Sequence, residues 1–392
     1  MTWAEVPLRR LFKVVNGGTP TSDPGNWDGG IPWATPVDLG RQNGRVIETT
    51  DRTLSRRGLE TGSATVPGGS LVLSTRAPIG YVAQTVGVVA FNQGCRGLVP
   101  VTPCDIRYYR YVLGNIVDRL QARGVGSTFL ELTTDALAST RLSVPPPGAQ
   151  RAIADFLDVE TAQIDALVAK KGQLLSLLEQ RRIAVIDREL WNPRYDLRRL
   201  KHVAGRPTSG NRDHSFTESE EGVPCLRGLN VRDWGIDRRA LLRVSQEDAT
   251  RHRATNLQAG DVVVVRSGNA GTAAVVPPDL DGANCVDLII IRRSVRLLPE
   301  LLCHGINSAR SRSFVAAGSD NAALGHFNAQ DAGELPVPVP PAEEQVGVKE
   351  RLEATVARIR QASERIHRQL ALLQEHRQAL ITAAVTGELE VA

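Results

Sequence analysis

The sequence predicts a mixed α/β (α+β) fold with a pseudo-two-fold internal repeat: two compact domains separated by two long helices packed as an antiparallel coiled coil. Two observations carry this prediction. A proline-rich junction followed by a long segment with helical apolar spacing occurs twice, at an offset of 195 residues. A segment of about 140 residues precedes each copy, and a length of 392 residues suits two domains of ordinary size.

The repeat is clearest at the two junctions. Val144-Pro-Pro-Pro147 followed by Gln150 recurs as Val339-Pro-Pro-Ala342 followed by Gln345. Proline is not tolerated inside a helix, and the apolar spacing after each junction is that of a helix. Each junction therefore marks the boundary between a domain and a long helix.

The apolar residues after each junction recur every three or four positions, as in a heptad. Between Gln150 and Arg188 the only helix breaker is Gly172, so a helix of roughly 55–60 Å is expected. So long an apolar stripe needs a partner, most simply the other copy packed antiparallel. The alternative is two independent helices, each folded onto its own domain. Polar residues match between the two seams only at Arg182 and Arg377. The predicted seam residues are Leu157, Ile164, Val168, Leu175, Leu178 and Val185 in the first copy and Leu352, Val356, Ile359, Ile366, Leu370, Leu373 and Leu380 in the second.

Composition limits the class of protein. With 42% apolar and 23% charged residues the chain is expected to be globular, and no apolar stretch reaches the length of a membrane span. The first ten residues lack the apolar core of a signal peptide, so a cytoplasmic location without a membrane partner is expected. The five cysteines lack C-x-x-C spacing and the histidines are scattered, so we expect buried thiols and no metal site.

The positive charge is almost entirely arginine, since only five of the 47 basic residues are lysine. The planar guanidinium group donates in pairs to phosphate and to the edge of guanine, which suits nucleic acid. A GC-rich genome that prefers arginine codons is the alternative explanation. Within the domains, Leu71–Leu73 and Val262–Val265 are bounded by glycine and predict buried strands, each followed by an arginine-bearing loop.

The order of domain, helix, domain and helix resembles the specificity subunit of type I restriction-modification systems over essentially the whole chain. Gly17-Gly-Thr-Pro20, Trp27 and Ile31-Pro-Trp33 are similar to the opening of many recognition domains in that family, and Val339–Gln345 is similar to the junction before their helices. The resemblance implies two target-recognition domains and two spacer helices. We place the first domain at 1–143, the first helix at 144–190, the second domain at 191–338 and the second helix at 339–392.

The resemblance implies a subunit that recognises a bipartite, asymmetric target in double-stranded DNA, with the helix pair fixing the gap between the half-sites. It also implies two methyltransferase subunits and restriction or motor subunits as partners, which would use S-adenosylmethionine, ATP and Mg. No cofactor and no catalytic role are expected in this chain, because it lacks an adenine-holding NPPY-like loop and a phosphate loop. The alternatives are a specificity module of another methylation system and a coiled-coil interaction protein with two ligand-binding domains and no role with DNA.

DNA recognition requires side chains that reach phosphates and base edges, and Arg, Asn, Gln and Thr in loops are the usual choice. For each candidate, a solvated arginine or a turn-capping polar residue is the alternative. Arg76 and Arg266 stand out because they follow equivalent predicted strands. Trp27, Trp33 and Trp234 suit packing beside DNA, although a role in the core is the commoner use of such residues. The candidates are Thr19, Thr21, Arg41, Arg76 and Gln93 in the first domain and Arg206, Arg212, Arg227, Asn230, Arg232, Arg266 and Asn269 in the second.

Overall fold

Short strands and short helices alternate before the first proline junction of the computed structural model, which describes residues 3–42, 45–126, 130–211, 215–320 and 327–391. The strands are β1 (Ala4–Pro7), β2 (Phe12–Asn16), β3 (Trp27–Ala34), β4 (Val46–Ile47), β5 (Arg52–Leu54), β6 (Ala64–Val66), β7 (Leu71–Thr75), β8 (Ile79–Thr85), β9 (Val89–Phe91), β10 (Cys95–Pro100) and β11 (Arg141–Val144). The α-helices are α1 (Pro36–Gln42), α2 (Arg56–Gly62), α3 (Ile106–Asn115), α4 (Val117–Gln121), α5 (Thr134–Ser139) and the long α6 (Pro147–Leu190).

The same alternation follows α6. The strands are β12 (Asp196–Arg199), β13 (Thr208–Ser209), β14 (Phe216–Thr217), β15 (Val223–Leu226), β16 (Val231–Arg232), β17 (Gly235–Ile236), β18 (Leu242–Val244), β19 (Val262–Val265), β20 (Ala273–Val275), β21 (Asn284–Cys285), β22 (Leu288–Ile291) and β23 (Pro336–Val339). The α-helices are α7 (Leu200–Val203), α8 (Gln246–Arg251), α9 (Pro299–Ile306), α10 (Ala309–Asp320), α11 (Ala329–Glu334) and the long α12 (Ala342–Thr386). We call the segment before α6 the first domain and the segment between α6 and α12 the second domain.

Both long helices begin at the predicted junctions. Pro147 is the first residue of α6, where a missing N–H leaves no helical hydrogen bond unmade. Neither helix is a membrane span, since no helix in the described part of the chain is both long and apolar enough to cross a bilayer.

The chain packs into two units that do not follow chain order. Unit 1 comprises Met1–Lys171 and Arg368–Ala392, and unit 2 comprises Gly172–His367. Unit 1 therefore contains the first domain, the start of α6 and the end of α12. Unit 2 contains the second domain, the end of α6 and the start of α12. The domain boundaries proposed from the sequence stay predictions, because these units divide both helices.

The first domain contains two mixed layers and a short ladder. One sheet has the order β2-β10-β7-β8-β4, the other has the order β5-β3-β9-β6, and β1 pairs with β11. All five residues of β7 are buried, as the run of leucine and valine predicts for a central strand. One face of the first sheet packs against α3 and α5 in one apolar cluster, and the second sheet contributes to separate clusters.

The second domain repeats this topology with a difference at the sheet edges. Its first sheet, β13-β22-β19-β20, matches the order β2-β10-β7-β8, and β12 pairs with β23 as β1 pairs with β11. In the other sheet the parallel pair β15–β21 and the antiparallel neighbour β18 match β3, β9 and β5. The added strand, however, is β14 beside β18 in the second domain and β6 beside β9 in the first. The two domains have thus been extended at opposite edges of a common three-stranded core.

The long helices pack antiparallel within each unit. In unit 1, Lys171 donates to Gln369 over 2.7 Å, and Asp165 lies 3.4 Å from Arg377. Residue numbers therefore rise along α12 where they fall along α6, which is the antiparallel arrangement. In unit 2, the end of α6 meets the start of α12, where Arg351 lies 3.0 Å from Glu189. Each helix therefore has the other as its partner, as the long apolar stripe predicts.

The predicted seam residues line these contacts. Within unit 1 and within unit 2 every one of them is buried or half-buried, whereas leucines off the seam are largely exposed. The buried ones are Leu157, Ile164, Leu352, Ile359 and Ile366, and the half-buried ones are Val168, Leu175, Leu178, Val185, Val356, Leu370, Leu373 and Leu380. The seam of each helix is thus covered, and the helix ends are also buried against the domains, at Ile153, Ile186, Val348 and Ile381 among others.

The glutamine repeated in both junctions has the same role in both domains. The side-chain oxygen of Gln150 accepts the amide of Asp105 over 3.0 Å, and that of Gln345 accepts the amide of Leu298 over 3.0 Å. Asp105 and Leu298 immediately precede α3 and α9. Each glutamine amide also donates to a proline carbonyl in its own junction. Because both side chains are buried and fully used, they fix the start of each long helix against its own domain.

An ion pair of opposite polarity accompanies each junction. In the first domain Arg107 of α3 lies 2.7 Å from Asp155 and 3.0 Å from Asp158, both on α6. In the second domain the acid is on the domain side, where Glu300 of α9 lies 2.7 Å from Lys349 of α12. The two repeats thus use reversed charges for the same contact.

Candidate nucleic-acid interface

In the first domain, the loop after β2 lies against the loop after β9. A Cβ on Gly17 would lie 2.0 Å from the carbonyl oxygen of Asn92, and the amide of Gly18 donates to the last residue of β9 over 3.0 Å. Only glycine permits so close an approach of two backbones. The hydroxyl of Thr19 donates to the side-chain oxygen of Gln93, and both residues are exposed. Two predicted DNA-contacting residues are thereby brought together.

Replacement of Gly17 by alanine is expected to destabilise the first domain by about 1–3 kcal/mol, because the added methyl group overlaps the backbone. Gly87→Ala is the matched control, since a Cβ there meets nothing within 4 Å, and it is expected to change stability by less than about 0.5 kcal/mol. Amide hydrogen exchange in β9 and β10 of the full chain measures both. Equal protection in the two variants would contradict the close approach.

Arg76 follows β7 and lies beside the same loops. Its Cγ is 3.4 Å from the position that a Cβ on Gly94 would occupy. Its Nη1 lies 3.8 Å from a carboxylate oxygen of Glu131, and the two backbones form an isolated bridge. About a third of the side chain is exposed, at 35%. We call the surface formed by Thr19, Arg76 and Gln93 the strand-end cluster.

The other two candidates of the first domain serve local contacts. The hydroxyl of Thr21 accepts the side-chain amide of Asn26 over 2.9 Å, and its carbonyl accepts the indole N–H of Trp27 over 3.0 Å. Arg41, near the end of α1, is exposed and pairs with Asp51. Arg41 therefore lies at the surface in a segment distinct from the loops that form the strand-end cluster.

The tryptophans divide between core and surface. Trp27 and Trp33 are buried and meet edge to face with ring centroids 5.1 Å apart, so in this domain the alternative of a core role applies. The guanidinium of Arg52 covers the ring of Trp27 at 3.3 Å. Trp234, between β16 and β17 in the second domain, is by contrast 50% exposed.

Arg266 occupies the place in the second domain that Arg76 has in the first. It follows β19, its Nη1 lies 3.0 Å from Asp287, and its Nε lies 3.4 Å from the carbonyl oxygen of Phe327. Only 13% of its side chain is exposed. Both post-strand arginines thus pair with a carboxylate from a later loop, which explains their equivalence in the sequence. Glu131 and Asp287 could not be predicted as partners, because nothing in their local spacing marks them.

The segment after β15 holds three candidates in different environments. Asn230 is fully buried, its side-chain oxygen accepts the amide of Arg227 over 3.0 Å, and its amide donates to the carbonyl of Asp237 over 3.1 Å. A guanidinium nitrogen of Arg227 donates to the carbonyl of Ala240 over 3.2 Å. Arg232 is exposed at the end of β16. Asn230 therefore holds the loop together, and Arg232 is the member of the three that faces solvent.

The remaining candidates of the second domain lie on its surface or outside the described residues. Asn269 is exposed in the turn after β19. Arg206 is exposed and lines a cavity of about 470 Å³ with Lys201, which pairs with Glu334. Arg212 lies outside the described residues.

Gly210 in the second domain, like Gly17 in the first, has no room for a Cβ atom. A Cβ on Gly210 would lie 2.8 Å from the carbonyl oxygen of Cys285, and its amide donates to the carbonyl of Leu288 over 2.7 Å. Gly210 directly follows β13, as Gly17 directly follows β2. The loops that open both domains are therefore held against the parallel strand in the same way, although their sequences differ.

The cysteines and the possible metal ligands of the described residues bear on whether thiolate or metal chemistry is available. Among them no group of His, Cys, Asp and Glu side chains suits a metal ion. Burial raises the pKa of the thiols to about 12 in Cys95, Cys225, Cys285 and Cys303 and to about 11 in Cys104. These thiols are protonated at neutral pH, and only the thiolate is a nucleophile or metal ligand.

The chain is similar to type I restriction enzyme specificity subunits. A type I restriction enzyme specificity subunit of Methanocaldococcus jannaschii, MjaIX, is 30% identical over 45% of this chain. The EcoBI specificity subunit of Escherichia coli is 22% identical over 72% of the chain, and the StySPI subunit of Salmonella potsdam is 21% identical over 99%. The family model described as the type I restriction modification DNA specificity domain matches residues 1–176. The first part of the chain matches this domain, and the chain as a whole is similar to type I specificity subunits.

The resemblance seen in the sequence is thereby confirmed. The matches span 41% of the MjaIX subunit and 65% of the EcoBI subunit, less than two thirds of either, and 89% of the StySPI subunit. Among solved structures, a chain from work on the complex assembly and conformational transition of the type I R-M system covers 99% of this chain and 98% of its own length, with a TM-score of 0.77 and 16% identity. The HsdS subunit from Thermoanaerobacter tengcongensis covers 99% and 97%, with a TM-score of 0.50 and 15% identity. The mixed α/β fold class predicted from the sequence is confirmed.

Proposed function

We propose that this chain is the DNA-specificity subunit of a type I restriction-modification complex and recognises a bipartite, asymmetric target in double-stranded DNA. Each domain contacts one half of the target, and the helix pair sets the gap between the halves. The chain itself carries no catalysis. Two methyltransferase subunits and restriction or motor subunits carry the catalysis and use S-adenosylmethionine, ATP and Mg. The complex acts in the cytoplasm, where the DNA lies.

One observation supports the proposal beyond the similarity to known specificity subunits. The connection between β3 and β5 contains α1 and β4, whereas the equivalent connection between β15 and β18 contains the hairpin β16–β17. Two domains of one topology therefore present different side chains on equivalent connections. Unlike surfaces of this kind suit unlike half-sites, since base edges are distinguished by the side chains that reach them.

The surfaces of the long helices support the part of the proposal that concerns protein partners. In unit 1, Leu167 and Leu372 are 46% and 61% exposed, and in unit 2, Leu174 and Leu177 are 46% and 59% exposed. Exposed leucines that lie close together on a helix favour a surface that a partner protein covers. We assign these surfaces to the methyltransferase subunits.

The methylome of a methylation-free host tests the proposal. The full chain is expressed with the methyltransferase encoded beside it, and N6-methyladenine is mapped by long-read sequencing. We expect a split motif of two unlike half-sites with a fixed gap, present only when this chain is present. The matched control is the methyltransferase alone.

If the two proteins co-purify but the chain adds no methylated motif, it is not the specificity determinant. A coiled-coil interaction protein without a role with DNA would then explain the data better. The same alternative would be favoured if the assembled complex did not bind DNA, or bound it with an affinity that does not depend on salt. Phosphate contacts make the affinity for DNA fall steeply as the salt concentration rises.

A further inference from the structure

The polar seam position that both copies of the repeat share holds an arginine, Arg182 in the first copy and Arg377 in the second, and each is linked to a domain. Arg182 of α6 has only 9% of its side chain exposed and donates to Glu179 over 2.7 Å. The same guanidinium lies 3.0 Å from Asp233, which forms the tip of the hairpin β16–β17. Arg312 of α10 lies 3.8 Å from the same carboxylate oxygen. The helix seam in unit 2 is thus joined directly to a hairpin of the second domain.

Trp234, the other residue at the tip, extends this contact to the second helix of unit 2. With Val356 and Ala357 of α12 it lines a cavity of about 340 Å³. Its half-exposed ring faces α12 across this cavity, while the neighbouring carboxylate of Asp233 pairs with Arg182 of α6. The hairpin tip is therefore anchored to α6 and shares a cavity with α12.

Arg377 of α12, at the equivalent position of the second seam, makes an indirect contact with the first domain. It lies 3.4 Å from Asp165 of α6, and the other oxygen of Asp165 lies 2.8 Å from Arg45. Arg45 immediately precedes β4. The path from seam to domain therefore runs through one carboxylate, and Arg377 is more exposed than Arg182, at 29%.

The two anchored segments are topologically equivalent. Arg45 lies between β3 and β5, and Asp233 lies between β15 and β18, so the same connection of the shared core is held in both domains. The same connections carry Arg41 in the first domain and Arg232 in the second, both exposed candidates for DNA contact. Each seam arginine is therefore joined to a segment that also presents an arginine to solvent.

Stability alone gives a poor account of these arginines. A charge placed in an apolar seam is costly to desolvate, and an ion pair there stabilises little more than a well-packed apolar side chain would. Leucine or methionine would suit the seam position at least as well. The guanidinium forms directional, charge-assisted hydrogen bonds, which an apolar side chain cannot form. Such a contact fixes one orientation of the partner segment.

We propose that Arg182 and Arg377 are positioning residues, which fix the connection between the equivalent core strands against the helix seam and so set where Arg232 and Arg41 meet DNA. This inference rests on the proposed function. Because the path is direct and nearly buried for Arg182 but relayed and more exposed for Arg377, loss of Arg182 has the larger effect. Each arginine acts on the half-site of its own unit.

Two substitutions in the full chain, Arg182→Met and Arg377→Met, test the proposal by the methylome described above. Methionine keeps the length and the apolar character of the seam, so the helices stay paired. The matched controls are Arg181→Met and Arg368→Met, which remove exposed arginines from the same helices. Methylation at targets with one wrong base, relative to the correct target, is compared for each half-site.

We expect Arg182→Met to raise the relative methylation of mismatched targets about tenfold in one half-site only, because a base contact that is no longer held in place discriminates less against a mismatch. Arg377→Met relaxes the other half-site by a smaller factor, and the controls leave both unchanged. The inference is overturned if either variant lowers methylation uniformly with the motif unaltered, or if Arg181→Met matches Arg182→Met.

Hydrogen exchange separates failure of this inference from failure of the proposed function. In Arg182→Met we expect amide protection of the hairpin β16–β17 to fall about tenfold while that of β19 is retained. Unchanged protection in the hairpin overturns the anchoring whatever the methylome shows. Suppose that the wild-type chain imposes no split motif but that Arg182→Met still lowers protection of the hairpin. The anchoring by Arg182 would then be supported, and the role with DNA would be refuted.

Discussion

Replacement of Leu157 by alanine is expected to lower the free energy of unfolding of unit 1 by about 2–5 kcal/mol. Leu157 is fully buried and belongs to a cluster with Tyr108 and Val112 of α3 and Ile381 and Val385 of α12. Truncation removes contacts to both elements and leaves a cavity between them. Hydrogen exchange on the full chain measures the loss as reduced protection of α3, while β19 in unit 2 serves as an internal reference.

Leu167→Ala is the matched control on the same helix. Leu167 is 46% exposed, so its truncation is expected to change stability by less than about 0.5 kcal/mol. Equal losses in the two variants would show that burial along α6 does not follow the seam. A loss of protection confined to unit 2 would show that Leu157 does not belong to the core of unit 1.

Replacement of Asp158 by alanine is expected to destabilise unit 1 by about 3 kcal/mol. Its carboxylate accepts Arg110 over 2.8 Å, the hydroxyl of Tyr111 over 2.7 Å and Arg107 over 3.0 Å. Only 10% of the Arg110 side chain is exposed, so the substitution leaves a buried charge without this partner. Hydrogen exchange of α3 and of the first turns of α6 measures the effect, which should be largest where the two helices meet.

Asp155→Ala removes a neighbouring carboxylate at much lower cost. Asp155 is 60% exposed and lies 2.7 Å from Arg107, which keeps Asp105 and Asp158 as partners. The expected loss is below about 1 kcal/mol, as for other exposed ion pairs. Equal losses of stability in Asp155→Ala and Asp158→Ala would contradict this prediction. They would show that the stability of the contact between α3 and α6 depends on the number of carboxylates and not on their burial.

The parts of the fold with a strong local signal could be predicted from the sequence. The constant offset of the repeat located both long helices, because proline limits their starts and the seam must keep a period of three to four residues. Leu71–Leu73 and Val262–Val265 lie in buried strands, as their apolar runs predict. The sheet orders could not be predicted in the same way. Strands such as β13 and β21 have two residues each, and only contacts distant in sequence define them.

Residue type alone could not predict which candidate side chains are exposed and which are buried. Asn230 and Asn269 both suit a base contact by their chemistry, yet the first is buried in its own loop and the second is exposed. Arg266 and Arg232 differ in the same way, because a carboxylate far along the chain covers Arg266. Such partners come from tertiary packing, which sequence spacing does not record. Which exposed candidates contact DNA stays a prediction.

The ribosome makes this chain in an order that its packing does not follow. It releases the first domain with the start of α6, then all of unit 2, and only afterwards the residues Arg368–Ala392 that complete unit 1. Throughout that interval the face of α3 that will contact Ile381 and Val385 lacks this cover. Exposed apolar faces of this kind are where nascent chains aggregate and where chaperones bind. A translation stop late in α12 would therefore damage the domain that was synthesised first.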